Sequence, residues 1–323
     1  MTISPDATQL THAIIMSQVY NHIRMVKTMK YALHSVSYAG AWKGQAALSL
    51  EDFICKAASL GYHGVELMAK RPHFSPLDMD DKKLAAIKSL LDSQGLECAC
   101  IAGYTDFLLG VDAGMIPSVE LQIANVERLS QMAQAVGCKL VRIFTGYENK
   151  NMNYQQQWDI CVDAIKECAA RAAKYGVTIG IQNHHDIAVG SRAVKEFITE
   201  VGEDNCLPMH DAWAPAIIGE DLEEAIMAVD KIAYTTVADY VRVPRFNYKP
   251  SLVSYSRDED MMRAVKMGEG FIDYKKFFGA LKASGYDGYV AYEMCSPIRG
   301  GGSLENLDNY ASHFIEYMNK IQP

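Results

Sequence analysis

No apolar run in this chain approaches the roughly 18 residues that a membrane-spanning helix needs. Near the start, Ala13, Ile14, Ile15, Met16 and Val19 are interrupted by Gln18 and flanked by His12, Asn21, His22 and Arg24. No small-residue cleavage site follows, which speaks against a signal peptide and for a cytoplasmic protein without a membrane partner. Positive charge is also short: 31 Lys and Arg stand against 39 Asp and Glu, a net charge of −8. A nucleic-acid surface is normally basic, so that class of partner is disfavoured. The eight cysteines (Cys55, Cys98, Cys100, Cys138, Cys161, Cys168, Cys206 and Cys295) contain no CxxC pair. They read as reduced thiols packed as small apolar residues. Finally, no glycine-rich phosphate loop follows the first strand, which argues against an open dinucleotide-binding sheet.

What is present is a cadence: a helical pattern, a glycine, then a short apolar strand ending in polar residues. Leu50 to Leu60 leads through Gly61 and Gly64 into Val65-Glu66-Leu67-Met68, and Lys82 to Gln94 leads through Gly95 into Leu96 to Ile101. Val119 to Val136, Trp158 to Tyr175 and Phe277 to Ser284 likewise precede Leu140 to Phe144, Val177 to Ile181 and Tyr289 to Glu293. Two further strands are expected at Cys206 to Asp211 and Ile232 to Asp239, and Tyr31 to Ser37 opens the series. Alternation of this kind implies parallel strands with right-handed crossovers, and eight units fit a single closed (β/α)8 TIM barrel. The expected layout is an N-terminal extension (1–28), a barrel domain (29–323), and a long loop after strand seven (240–270). The loop has little helical periodicity but holds Tyr240, Phe246, Tyr248 and Tyr255, which suits a lid.

Barrels of this class place their chemistry at the C-terminal ends of the strands. The richest such end is Gln182-Asn183-His184-His185-Asp186, a polar cluster that is costly to bury without partners. Around the same rim fall His34, Glu66, Tyr104 with Asp106, Glu148, His210-Asp211, Thr236 with Asp239, and Glu293. Carboxylates, an amide oxygen and imidazoles together suit a divalent ion with nitrogen and oxygen ligands. Manganese leads, with zinc, iron(II) and magnesium as alternatives, and the absence of thiolates argues against a structural zinc site. Each residue also has a plainer reading. His34 fills the barrel floor, Glu66 pairs with Lys70 or Arg71, and Lys70, Arg71, Arg142 and Arg299 make structural ion pairs rather than contacts to substrate oxygens.

These strand ends resemble the xylose-isomerase-like TIM-barrel superfamily of sugar isomerases and epimerases over roughly residues 30–320. The marks are Gly64-Val65-Glu66-Leu67, Gly176 to His184, Asp211, Thr236 to Asp239, Gly268-Glu269-Gly270, and Gly285-Tyr286-Asp287-Gly288 before Glu293. The resemblance implies one metal held by Glu, Asp, His and Glu at the ends of strands five to eight, positions occupied here by Gln182, Asp211, Thr236 and Glu293. Two of the four depart from that pattern. An amide oxygen still ligates a metal but is no base, and the missing nitrogen ligand would come from His184, His185 or His210.

Epimerases of this group use two facing carboxylates, so loss of one disfavours the two-base reaction. What remains suits removal of a proton next to a ketone followed by elimination. That is the chemistry of the similar catalytic α subunits of bacterial C-glycoside deglycosidases, which act on 3-oxo-glycosides and pair with a small β subunit in a hetero-oligomer. The expectation is therefore a metal-dependent lyase for a sugar or glycoside, with His184 or His185 as base assisted by Glu293. Gln182, Asp211, His210 and Glu293 would hold the metal. His34, Glu66, Lys70, Arg71, Tyr104, Glu148, Asp239 and Arg299 would contact the substrate. The alternatives are a sugar (phosphate) isomerase or epimerase, and a catalytically dead binding barrel. Apurinic endonucleases share the superfamily, but the acidic balance and sparse rim histidines go against that class.

Overall fold

A computed structural model describes residues 29–229 and 231–321; the N-terminal extension expected over 1–28 lies outside them. Eight parallel strands form the barrel: β1 (Lys30–His34), β2 (Gly64–Met68), β3 (Glu97–Ala102), β4 (Leu140–Ile143), β5 (Thr178–Gln182), β6 (Cys206–Met209), β7 (Thr235–Val237) and β10 (Tyr289–Tyr292). Their order is β6-β5-β4-β3-β2-β1-β10-β7. The circle closes where Met209 bridges Tyr234 in parallel and the His210 N–H donates to the Tyr234 carbonyl at 3.1 Å.

Parallel strands covered on both faces are built from near-continuous apolar residues, as these are. Ala32, Cys100, Leu140, Met209, Tyr234 and Ala291 fill the barrel interior. The outward side chains (Leu33, Val65, Ile101, Val141, Ile179 and Val290 among them) pack under the helices in the main core. Those helices are α1 (Leu50–Ser59), α2 (Asp81–Ser93), α3 (Ser118–Val136), α4 (Tyr154–Ala173), α5 (Ser191–Val201), α6 (Trp213–Ile218), α7 (Leu222–Met227), α8 (Tyr274–Ala283) and α9 (Leu304–Ile321). Gly137 and Gly202 end α3 and α5 with φ of 77° and 68°, a left-handed turn that a side chain would strain. Among the described residues, no helix is long and apolar enough to cross a membrane.

One expectation needs correction. The stretch after strand seven is not a loop but a β-hairpin, β8 (Asp239–Lys249) paired antiparallel with β9 (Ser254–Val265). Its period is two rather than 3.6: Val241 and Val243 are half-buried on one face while Arg242 is exposed on the other. At its base Arg242 donates to the Ala216 carbonyl at 3.1 Å and lies over the Phe271 ring, which ties the hairpin to α6. Its outer half projects, with Phe246 59% and Tyr255 67% exposed. Strand seven is correspondingly shorter than expected, because the chain leaves the barrel at Ala238 to begin β8.

Candidate active site at the C-terminal end of the barrel

Strand alternation decides which rim residues meet. On β6 and its continuation, Met209 and Asp211 point inward, so His210 points outward. The Asp211 carboxylate joins three strand ends: Oδ1 accepts the Thr236 backbone N–H at 2.8 Å, and Oδ2 accepts the Gln182 amide. Asn183 clamps the same corner, accepting the Asp211 N–H at 2.8 Å and donating to its carbonyl at 3.1 Å. The Thr236 hydroxyl in turn donates to Glu66 Oε2 at 3.3 Å.

At the centre lies Arg142, which enters from β4 between Val141 and Ile143. Its Nη1 donates to the Gly103 carbonyl at 3.0 Å, and its guanidinium is held 5.0 Å from the Tyr104 ring centre and 4.3 Å from that of Phe144. Glu66 Oε1 stands 3.7 Å from Arg142 Nε and 3.6 Å from His34 Nε2, and Glu293 Oε2 stands 4.0 Å from the same imidazole nitrogen. His34 Nδ1 accepts the Val36 N–H at 3.1 Å, which places the ring proton on Nε2, facing the two carboxyls. The 3.4 Å approach of Arg142 Nη2 to that nitrogen is then a contact between two donors rather than a hydrogen bond. Burial, and then the Arg142 charge, holds His34 well below the ordinary imidazole range, so it is neutral.

The carboxyls respond in the opposite direction. Burial pushes Glu66 up to about 8, with Arg142 opposing and Glu293 and Asp211 adding to the rise. Burial, then repulsion from Glu293, pushes Asp211 up to about 7, and burial also raises Glu293. A carboxyl whose folded pKa lies above its unfolded value stabilises the fold fully at low pH and loses that contribution as pH rises through the folded value. Each titrating group removes up to about 1.4 kcal/mol per pH unit. The buried imidazoles act only below their ordinary range, so between about pH 6.5 and 8 the two carboxyls set the slope. Urea unfolding is expected to give falling stability over that interval, with a flatter slope in Glu66→Gln. Rising stability in the unmodified protein would contradict this.

The double histidine takes a different place from the carboxylates. After Gln182 the chain turns, the His184 N–H donating to the Gln182 carbonyl at 2.8 Å, and the two imidazoles meet Nδ1 to Nδ1 at 3.0 Å. His185 is stacked between Phe144 and Tyr147 at 4.2 and 3.9 Å, and His184 packs on Phe144 and Trp213 at 4.8 and 5.3 Å. Burial, and then neighbouring charge, lowers them to about 4 and about 3, which makes both weak bases. Tyr147, His185, Phe144, His184, Trp213 and Tyr240 follow one another in ring contact, with Tyr104 against Phe144, as an aromatic wall.

The other expected contacts divide. Lys70 lies 3.7 Å over the Tyr104 ring at the rim. Arg71 instead pairs with Asp78 at 2.7 Å, and Glu148 and Arg299 are exposed, the Glu148 backbone N–H donating to Asp186 Oδ2 at 2.9 Å. His210 Nε2 lies 3.2 Å from Ser191 Oγ on the outer side, with Ser191 bonded to Glu220. Asp239 serves the backbone: it accepts the N–H groups of Tyr240, Gly268 and Gly270, each at 2.9 Å. Gly270 is required there, since a Cβ would fall 1.9 Å from Asp239 Oδ1.

This arrangement does not fit the divalent ion that the resemblance implies. Among the described residues, no three His, Cys, Asp or Glu side chains converge as a ligand set. Both Asp211 oxygens are bonded to protein donors, Thr236 offers a backbone N–H where an imidazole would be needed, and the candidate imidazoles face elsewhere. Gln182 Oε1, Glu66 Oε1 and Arg142 Nε are buried without a hydrogen-bond partner among the described residues, and of these only Glu66 adds an anionic oxygen. Of the four positions only Glu293, with 13% side-chain exposure, reaches the mouth.

An eight-stranded α/β barrel with buried carboxyls gathered at one strand-end rim defines a class, and comparison with known proteins gives it a family. The chain belongs to the xylose isomerase-like TIM barrel family, whose profile matches residues 54–319. It is 24% identical to an inosose dehydratase of Erwinia tasmaniensis over 259 residues, 76% of this chain and 82% of that one. An inosose dehydratase of Glaesserella parasuis is 23% identical over 84% of this chain and 90% of its own. Among solved structures, the probable 3-DHS dehydratase AsbF of Bacillus anthracis superposes with a TM-score of 0.69 at 18% identity, covering 90% of this chain and 99% of that one. A D-allulose 3-epimerase from Methylomonas sp. gives a TM-score of 0.67 at 18% identity, covering 91% and 98%. At these identities the structures establish the fold.

Proposed function

We propose that this chain is a lyase that removes the proton next to a ketone on a polyhydroxylated ring and expels the group one carbon further on. The observation that carries this reading is that, of the four strand-end positions the resemblance marks, Glu293 is the one carboxylate that reaches solvent. Gln182 stands where a second facing base would be needed, and Glu66 is sealed behind His34. One accessible base suits elimination; inversion at carbon calls for two. Glu293 takes the α-proton, and the C–H electron pair moves onto the carbonyl oxygen as an enolate. The pair then returns to form the C=C bond as the leaving group departs, taking up the proton from Glu293 or from water.

The named relatives support this chemistry. They are named as inosose dehydratases and a D-allulose 3-epimerase, and loss of water or inversion at the carbon beside a ketone is opened by removal of the proton there. The aromatic wall of Tyr104, Phe144, Tyr147 and Trp213 favours a planar leaving group, which makes a 3-oxo-glycoside of an aromatic aglycone the preferred substrate. Product analysis after incubation with such a glycoside, a keto-inositol and free ketohexoses tests the reading. Release of the aglycone or of water supports elimination, and conversion of a ketohexose alone overturns it.

A specific observation favours a second reading. Glu66 and Glu293 both face His34 Nε2, so an imidazole relay could return a proton from the far side and make the protein an epimerase. In that case the ketohexose is the substrate.

A further inference from the structure

We infer that Arg142 is this chain's resident cation, its fixed guanidinium occupying the electrostatic role at the barrel floor that a divalent ion would otherwise fill. The role assigned to that charge rests on the proposed elimination.

Three side-chain observations lead here. First, the guanidinium sits among the three carboxyls of the site: it is 3.7 Å from Glu66, and its charge acts on Asp211 and Glu293 as well. Second, it is immobilised. Nη1 is bonded to Gly103, the planar group lies in the corner made by the edge-to-face pair Tyr104 and Phe144, and the residue is 3% exposed. A charge held this way needs no reorganisation when negative charge builds nearby, and in a poorly solvated pocket it acts more strongly than in water. Third, the positions that would ligate a metal are satisfied by the protein. Asp211 accepts the Thr236 N–H and the Gln182 amide.

The substitutions at 182 and 236 and the arginine at 142 then belong together. Replacing a carboxylate by an amide and an imidazole by a hydroxyl removes ligands, while an inward arginine supplies the lost positive charge. Arg142 acts by positioning Glu66 and by its field on the enolate oxygen. Acting through its charge and through Glu66, it is a positioning residue. Arginine suits this role better than lysine, because a flat, weakly hydrated guanidinium packs against aromatic rings.

MnCl2 titration followed by calorimetry, with metal analysis of the purified full chain, tests this without reference to turnover. The unmodified protein is expected to carry no stoichiometric divalent ion, to take none up, and to keep its thermal midpoint with chelator present. Arg142→Gln removes the cation and leaves the carboxyls uncompensated, so it is expected to take up Mn2+ under conditions in which the unmodified protein takes up none. Arg142→Lys keeps the charge and should remain metal-free, with a pH profile closer to that of the unmodified protein than the glutamine variant shows. One equivalent of tightly held Mn2+ in the unmodified protein overturns the proposal. So does a glutamine variant that folds and gains no affinity. Should the glutamine variant not fold, the unmodified and lysine proteins decide between the outcomes. A protein that binds no Mn2+ and turns over none of the tested ketones keeps the cation assignment and removes the elimination, so the two claims fail separately.

Discussion

Substitution of Glu293 by glutamine is expected to leave a folded barrel whose turnover is about a thousandfold lower, within the range general acid–base groups contribute. The fold does not depend on this carboxylate. Its strand is held by main-chain bonds, the Glu293 N–H to the Val237 carbonyl at 3.1 Å and the Met294 N–H to Ser37 Oγ at 2.9 Å. Gln45 further donates to the Met294 carbonyl at 3.2 Å. Among the described residues, the carboxylate has His34 at 4.0 Å and the Cys295 thiol at 3.7 Å as polar neighbours. Glutamine keeps the shape and removes the base, so an unchanged circular-dichroism melt with lost activity is the expected pair of results. Full activity in a folded variant would remove Glu293 from the mechanism.

The second large effect concerns stability. Asp211→Ala strips the acceptor from the Thr236 N–H and the Gln182 amide, both buried, at strands β7 and β5. An unsatisfied buried donor costs about 1–3 kcal/mol, so two together should destabilise by roughly 2–5 kcal/mol. Asp211→Asn keeps an oxygen for the Thr236 N–H and should cost distinctly less. Denaturant midpoints of the two variants measure the difference. Equal, small losses in both would mean that Asp211 does not hold the three strand ends together.

The barrel was legible because its punctuation is regular. Glycines close the helices, and short apolar strands end in polar residues, so Asp211, Gln182 and Glu293 could be placed at one rim before any coordinates. The hairpin was harder. Val241 and Val243 alternate with arginine, proline and aromatic residues over too short a stretch to stand out from a lid. His210 could have been separated from Asp211 by the two-residue period alone, since neighbours on a strand face opposite sides. His184 and His185 escape that rule because the chain turns directly after Gln182.

Arg142 is the instructive case. A lone arginine between Val141 and Ile143 in an apolar strand had to face either the helices or the barrel axis, and the sequence alone does not say which. Once its place at the axis is known, the glutamine at 182 and the threonine at 236 acquire a common explanation in charge. Neither substitution has one when read singly.

The measurement closest to the central claim uses a ketone that the protein accepts, carrying deuterium on the carbon next to the carbonyl. Elimination initiated by Glu293 predicts slower turnover of the deuterated substrate than of the protio form, with loss of that deuterium from the product. Equal rates with the label retained would contradict proton abstraction at that carbon, and with it the proposed reaction.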